Sequence, residues 1–242
     1  MSKNIHVKRE MVIAPNYSKL NGFIDNLPST FESEGHLIYS ARNQVKVFDV
    51  EGVAINVKRY CIPPFFFNRI VYRFFRAPKA KRAYYYGFRL DRLEIQTPTP
   101  IGYIVEKRSW LVGRSYFISL QVPYHRDMRE FGEKSEIDDE SNLILTEFGK
   151  FTAELHSKGI YHKDYSPGNV MFRMVDGVPE FCLVDINRMK FGKVSIAKGC
   201  KNFSRLWGNT QVFGIIAKSY STERGVDPDS TLNQIIKYRK IL

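Results

Sequence analysis

Cysteine is scarce: Cys61, Cys182 and Cys200 are the three in a chain of 242 residues. Their odd number and lack of ligand spacing exclude a disulfide framework and a cysteine zinc site. All three are expected as buried free thiols, Cys182 because it falls within an apolar strand. Long apolar runs are missing too; none approaches the ~20 residues that a membrane-spanning helix needs. Met1-Ser2-Lys3-Asn4-Ile5-His6 lacks the apolar segment of a secretory signal, residue 2 is not glycine, and Lys240-Ile241-Leu242 offers no prenylation cysteine. A cytoplasmic protein is expected. Acidic charge is the third shortage. The 25 Asp and Glu residues are outnumbered by 37 Lys and Arg, for a formal charge of +12. That balance favours an anionic partner such as nucleic acid, acidic lipid or a phosphorylated glycolipid, without choosing among them.

What is present suffices for a full core. A hydrophobic content of 43% excludes disordered and fibrous classes, and the length fits one large domain or two lobes. The most informative stretch runs Ile160-Tyr161-His162-Lys163-Asp164-Tyr165-Ser166-Pro167-Gly168-Asn169-Val170-Met171-Phe172, followed by Leu183-Val184-Asp185. Asp176-Gly177 reads as a two-residue hairpin turn between apolar-rich runs at 170–175 and 178–184. Counting outward from it pairs Val175 with Val178 and brings Asn169 beside Val184 and Asp185. An amide oxygen and a carboxylate then converge, hard ligands that suit magnesium with room left for water and phosphate oxygens. Asp164, five residues before Asn169, is a second carboxylate outside that pair, placed to take a proton from an attacking hydroxyl.

His-Lys-Asp with Asn five residues after the Asp, then an Asp ending the next strand, resembles the catalytic loop and metal-binding Asp of the protein-kinase-like superfamily. Lys163 replaces the usual Arg, and Asp185-Ile186-Asn187 replaces Asp-Phe-Gly. A plainer account makes His162, Asp164 and Asn169 a polar turn and Asp185 a strand-end cap, but it leaves the spacing unexplained.

Upstream, residues 6–13 read as an edge strand and 17–27 as a packing helix with Leu20, Phe23, Ile24 and Leu27 at helical spacing. Three antiparallel strands follow from residue 36, with turns at Ser40-Ala41-Arg42-Asn43 and Glu51-Gly52. In the third, alternation sets Ala54, Asn56 and Lys58 on one face and Val53, Ile55 and Val57 on the other. The stretch from Pro63 to Arg92 interleaves aromatics with basic residues. Either it lays aromatic faces and basic heads on an anionic membrane surface, as a peripheral contact, or its aromatics are core and its basic groups a wet face. The second reading accounts for most of the aromatics.

Thr97-Pro98-Thr99-Pro100 starts an extended segment, residues 114–124 read as the next strand, and 125–140 as an apolar-poor surface connection. Ser141 is expected to cap a buried helix over 142–158, with Ile144, Phe148, Phe151 and Leu155 on its inner face and Gly159 as its stop. His125 and His156 read as packing or surface residues rather than metal ligands. Residues 202–206 and 210–220 read as further helices.

Lys58, the Arg42-Asn43 loop, the basic entry to the helix after residue 78, Thr97-Pro98-Thr99-Pro100, the His162 to Asn169 loop and Asp185-Ile186-Asn187-Arg188 together resemble the lipopolysaccharide kinase family, the Kdo and heptose kinases of Gram-negative bacteria. The resemblance implies an α+β, two-lobed protein-kinase-like fold: an antiparallel-sheet small lobe over residues 1–121 and a reduced, mainly helical large lobe over 122–242. It implies ATP-dependent phosphorylation of a sugar hydroxyl on the lipopolysaccharide inner core, at the cytoplasmic face of the inner membrane. Asn169 and Asp185 would hold Mg2+, Lys58 would orient the ATP phosphates, and Asp164 would act as base with Lys163 offsetting charge. Arg42 and Asn43 would stand in the phosphate-covering loop, which lacks its usual glycines, and Gln121 and Val122 at the adenine hinge. The helix acid that usually pairs with the strand lysine is absent from the turn 84–87, so that ion pair is missing or rebuilt.

The same core also serves small-molecule or atypical protein kinases, and the missing glycines and helix acid admit a catalytically weak nucleotide-binding pseudokinase. Intact Asp164, Asn169 and Asp185 argue against the latter. Nucleic-acid binding ranks last because no recognition motif accompanies the basic stretch.

Overall fold

The computed structural model describes residues 7–61, 77–108, 111–134 and 136–239. The chain divides into two compact units, Met1–Leu90 with Pro98–Val122, and Asp91–Thr97 with Pro123–Leu242.

The first unit is built on a six-stranded antiparallel sheet of β1 (Val7–Ile13), β2 (His36–Ser40), β3 (Gln44–Val50), β4 (Val53–Tyr60), β5 (Pro100–Arg108) and β6 (Leu111–Leu120), in the order β1-β5-β6-β4-β3-β2. The expected edge strand is present over Val7–Ile13. Glu51 and Gly52 both take positive φ, 54° and 78°, the geometry of a tight turn matched to strand twist. The alternation in β4 holds: Ile55 and Val57 are fully buried, while Asn56 and Lys58 are half-buried. The expected helix over 17–27 is instead a 3-10 turn (Pro15–Leu20) leading into α1 (Asn21–Thr30), with a break at Tyr17. Its Leu20, Ile24 and Leu27 pack with Phe31, Phe48, Ile55, Tyr116 and Ile118. Lys46 is buried, and its ammonium donates to the carbonyls of Phe31 (2.7 Å), Glu32 (3.2 Å) and Glu34 (2.7 Å). These carbonyls follow the last residue of α1, so the ammonium sits just past the helix's negative end.

Strand β6 stops at Leu120 rather than at residue 124. There the main chain leaves the ladder, Leu120 N–H bonding Thr99 O and Gln121 N–H bonding Ala54 O, and Pro123 has no N–H to continue it. Cys61 is exposed just past β4, against the expectation of a buried thiol, whereas Cys182 and Cys200 are buried. Of the basic aromatic stretch, residues 62–76 lie outside the described residues. Its continuation is α2 (Lys79–Asp91), with Ala80, Ala83, Tyr84 and Leu90 buried and Tyr85 exposed.

The second unit is mainly helical: α3 (Asp139–Ser157), α4 (Ile196–Asn202), α5 (Thr210–Arg224) and α6 (Pro228–Arg239). Two small sheets accompany them. One has the order β10-β9-β7, from β7 (Arg126–Asp127), β9 (Val170–Val175) and β10 (Val178–Leu183); the other pairs β8 (Ile160–His162) with β11 (Met189–Phe191). Helix α3 carries the predicted inner face with Ile144, Phe148 and Leu155 buried, while Phe151 is only half-buried. It crosses α5 at Gly149, where a Cβ would lie 2.8 Å from the Ile216 carbonyl oxygen. The cap is Asp138, not Ser141: its carboxylate accepts from Ser141 N–H at 2.8 Å, and the helix starts three residues earlier than the apolar pattern because Asp139 and Glu140 suit its positive end. Segment 125–140 is not all surface. β7 adds a third strand to the hairpin, and Met128 and Phe131 are buried, the latter ring 6.0 Å from Phe172.

Candidate phosphotransfer site

The hairpin register is the one counted from its turn. Asp176 and Gly177 have φ of 49° and 79°, Val178 faces Val175, Leu183 faces Val170, and Val184 N–H donates to Asn169 O at 3.0 Å. Asn169 is therefore bonded to the residue next to Asp185. Its side-chain nitrogen reaches back to Asp164 O at 2.8 Å, so one amide ties the loop to the hairpin and directs its oxygen away from that bond.

Two buried side chains bracket Asp164. His162 is at the end of β8, and its Nδ1 accepts from Asp164 N–H at 3.0 Å. A backbone N–H can only donate, so Nδ1 is unprotonated and Nε2–H donates to Val184 O at 3.2 Å. Burial holds the imidazole below its ordinary pKa, and this tautomer serves as a strut between the loop and the strand leading to Asp185. On the other side, Tyr165 is fully buried and its hydroxyl lies 2.8 Å from Thr152 Oγ1. Thr152 gives its own proton to Phe148 O, so Tyr165 is the donor.

The strut continues inward. His162 O accepts from Asn202 Nδ2 at 2.9 Å; Asn202 Oδ1 meets His156 Nε2 at 3.0 Å, and His156 Nδ1 meets Tyr220 OH at 2.9 Å. Asn202 donates at one end and so accepts at the other, which places the His156 proton on Nε2. Burial depresses His156 to about 4. Gly199 makes room for this chain, since a Cβ there would fall 2.9 Å from His156 Nδ1 and closer still to the Tyr220 hydroxyl. His156 is thus a packing residue, as its isolation from other ligands indicated.

Asp185 sits in the left-handed region at φ 52°, ψ 42°. Such a conformation costs roughly 1–2 kcal/mol for a residue with a Cβ, and its carboxylate is held by Asn187, whose Nδ2 donates to Asp185 Oδ1. Asn187 is buried, and its own Oδ1 has no hydrogen-bond partner among the described residues. Nothing in the sequence assigns Asn187 this task; its place two residues after the Asp is the one signal.

Two arginines complete the surroundings. Arg188 Nη1 lies 3.0 Å from Asp164 Oδ2, and Arg205 Nη1 bonds Asp164 Oδ1. Arg188 is brought there by the β8–β11 pairing and by Lys163 N–H, which donates to Arg188 O at 3.1 Å. Lys163 itself is exposed. The Asp164 side chain is 21% exposed, open enough to meet a substrate.

The remaining five predicted site residues lie in the first unit and all border β4. Lys58 Nζ is 5.5 Å from the Tyr60 ring centroid, and Lys79, the first residue of α2, lies 5.6 Å from the same ring. Asn56, on the Lys58 face, donates to Gln121 Oε1 at 2.7 Å. Gln121 Nε2 in turn donates to Val122 O at 3.2 Å. At the β2–β3 tip Arg42 is exposed, and Asn43 Oδ1 accepts from Cys61 N–H at 3.4 Å, fastening the tip to the end of β4. Helix α2 has an ion pair of its own with the sheet edge: Lys81 on the helix bonds Glu10 on β1 at 2.8 Å. Lys107 and Tyr103 also bond Glu10, and although burial opposes it, these donors hold its carboxyl down at about 2.

An antiparallel sheet unit with a lysine-bearing strand, and a helical unit with an Asp-to-Asn loop feeding a hairpin that ends in Asp, define a two-lobed protein-kinase-like phosphotransferase. The model of the lipopolysaccharide kinase (Kdo/WaaP) family matches residues 64–211, more than half of the chain. The chain belongs to that family and is a kinase of lipopolysaccharide core sugars. A solved structure described as WaaP in complex with acyl carrier protein has the same fold, with a TM-score of 0.64 and 12% identity, covering 96% of this chain and 98% of that one. No curated protein matches the chain in sequence. Among the described residues no helix is long and apolar enough to cross a membrane.

Proposed function

We propose that this kinase transfers the γ-phosphoryl group of ATP to a Kdo or heptose hydroxyl of the lipopolysaccharide inner core, with Asp164 as general base. The observation that supports this reading is the bonded sequence Asp164, Asn169, Val184, which ties the Asp164 loop to the strand end that precedes Asp185.

The donor set fits magnesium. An Asn169 amide oxygen and an Asp185 carboxylate are hard ligands of the kind that ion takes. Phosphate oxygens and water would fill the rest of the shell, as Mg2+ prefers. When bound, the ion neutralises charge on the phosphates. Asn187 keeps the Asp185 carboxylate turned toward such a ligand, and Lys58 is the phosphate-orienting lysine. Asp164 takes the hydroxyl proton while His162 fixes its main chain.

The test is Mg2+-dependent phosphate transfer from ATP to deacylated lipopolysaccharide core, by wild type and by Asp164→Asn. Transfer that drops by about 10²–10⁴ supports the assignment; undiminished transfer by correctly folded Asp164→Asn removes it.

A further inference from the structure

Beside Asp164 the second unit opens a cleft of about 730 Å³, within the roughly 300–1,000 Å³ range of small-molecule sites. Its walls include Ser166, Ser204, Arg205, Trp207, Thr210 and Arg239, and no acidic side chain among the described residues lines it. Trp207 is 56% exposed there, a large apolar ring left open to solvent, with its Cβ packed so close to Gly132 that a side chain at that position would crowd it. Arg239 is fixed by its stack on Phe213, 3.9 Å from the ring centroid, and by a 3.1 Å bond to Gly208 O. Arg205 is shared: it lines the cleft and bonds Asp164 Oδ1.

We infer that this cleft is the acceptor subsite, and that Arg205 reads an anionic group, carboxylate or phosphate, carried by the acceptor sugar. The inference deepens the proposed function and rests on Asp164 being the base. The chemistry of the walls matches such a ligand part by part. An open indole face takes the apolar C–H side of a sugar ring. Three hydroxyls exchange hydrogen bonds with ring hydroxyls, and a guanidinium pairs with an anion through two parallel N–H groups. Ser166, two residues past Asp164, connects the cleft to the base.

The shared arginine adds a selection step. In the structure Arg205 occupies one oxygen of Asp164. An acceptor anion takes over that guanidinium and frees Oδ1 to receive the hydroxyl proton. As the proton moves to Asp164, the sugar oxygen bonds the γ-phosphorus, its bond to the bridging oxygen breaks, and ADP leaves. A neutral sugar of the same shape does not compete for Arg205 and is a poor acceptor.

The experiment compares wild type, Arg205→Ala, Arg205→Lys, Trp207→Ala and Asp164→Asn. The acceptor probe is deacylated lipopolysaccharide core, used intact, after chemical reduction of its carboxylates to alcohols, and after phosphatase treatment. Binding is read without ATP by calorimetry and by tryptophan fluorescence, Trp207 being one of two tryptophans in the chain. The expected result is a rise of at least tenfold in acceptor KM and Kd for Arg205→Ala and Trp207→Ala, with KM for ATP unchanged and partial recovery in Arg205→Lys. Whichever treated core loses affinity for wild type but not for Arg205→Ala identifies the anion as carboxylate or phosphate. A fall in kcat alone, with acceptor KM and Kd within twofold of wild type in both the Arg205→Ala and Trp207→Ala proteins, overturns the inference and leaves Arg205 a positioning residue. Full transfer by Asp164→Asn overturns the underlying reading instead, whatever the cleft variants do.

Discussion

Arg205 bonds the carboxylate of Asp164 from 41 residues further along the chain, while Arg188 holds the other oxygen at 3.0 Å. The proposed base is therefore held from both sides. Arg188 is anchored in the site and lines no part of the cleft described above. Removing it takes away one charge-assisted bond, worth roughly 1.5–3 kcal/mol. Arg188→Ala is expected to lower kcat about 10- to 100-fold while acceptor KM stays within a few fold. Steady-state kinetics against both substrates checks this, and an unchanged kcat would show that Arg205 alone positions Asp164.

His162 gives a second test. His162→Leu keeps the volume but strands Asp164 N–H and Val184 O. Each group is part-buried, and losing its partner costs at most roughly 1–3 kcal/mol, so the urea midpoint should fall, with kcat reduced in the folded fraction. A variant as stable as wild type would mean that the strut carries no load.

Asn187 stands where kinases often place glycine. Its amide turns Asp185 Oδ1, and partners that orient a ligand commonly change metal affinity by about 10–100-fold when lost. Asn187→Gly should raise the Mg2+ concentration needed for half-maximal ATP binding by at least tenfold, measured by calorimetry with ATP in excess. Equal Mg2+ dependence in the two proteins would remove Asn187 from the metal site.

Acid stability follows from the buried imidazoles. His156 is depressed from 6.5 to about 4, and His162 is lowered in the same direction, both by burial. Between those values the unfolded chain binds more protons than the folded one. The histidine contribution is complete above about pH 6.5 and is lost as the pH falls toward 4. For His156 the difference amounts to roughly 3 kcal/mol at ~1.4 kcal/mol per pH unit. Urea midpoints at pH 7.5, 6 and 5 should fall in wild type and fall less steeply in His156→Gln. Parallel slopes would count against this account.

Gly199→Ala should be among the costlier single changes, because the added methyl meets His156 and Tyr220 at the centre of their bond. Overpacking of that kind costs typically ~1–3 kcal/mol. Thermal unfolding of the variant measures it, and Gly214→Ala, which meets nothing within 4 Å, is the control.

Much of the site was legible because it is local. A turn of Asp-Gly type fixes a hairpin register by counting, and that register alone brought Asn169 to Val184 and Asp185. Alternation likewise oriented Lys58. What escaped was set by residues distant in sequence or by competing polar bonds. Arg205 carries no motif and reaches Asp164 only through the packing of α4 and the turn after it. Lys81 pairs with Glu10 across 71 residues, so the tie between α2 and β1 was invisible to a reading of the helix by itself. Asp138 displaced Ser141 as cap because a carboxylate three residues ahead of an N–H outcompetes the expected hydroxyl. Met128 and Phe131 are two apolar residues in a charged segment, too few to show a period, yet both are buried and Phe131 packs on Phe172.

The hydrogen-bonded chain from Asp164 through His162, Asn202 and His156 ends at Tyr220, which also accepts from Arg224 at 3.4 Å. The stretch that marks the family ends at residue 211. The catalytic loop is thus a cantilever whose footing lies beyond the segment by which it is known. A polypeptide trimmed to that segment would keep every chemical group of the loop and lose the mooring that holds it still.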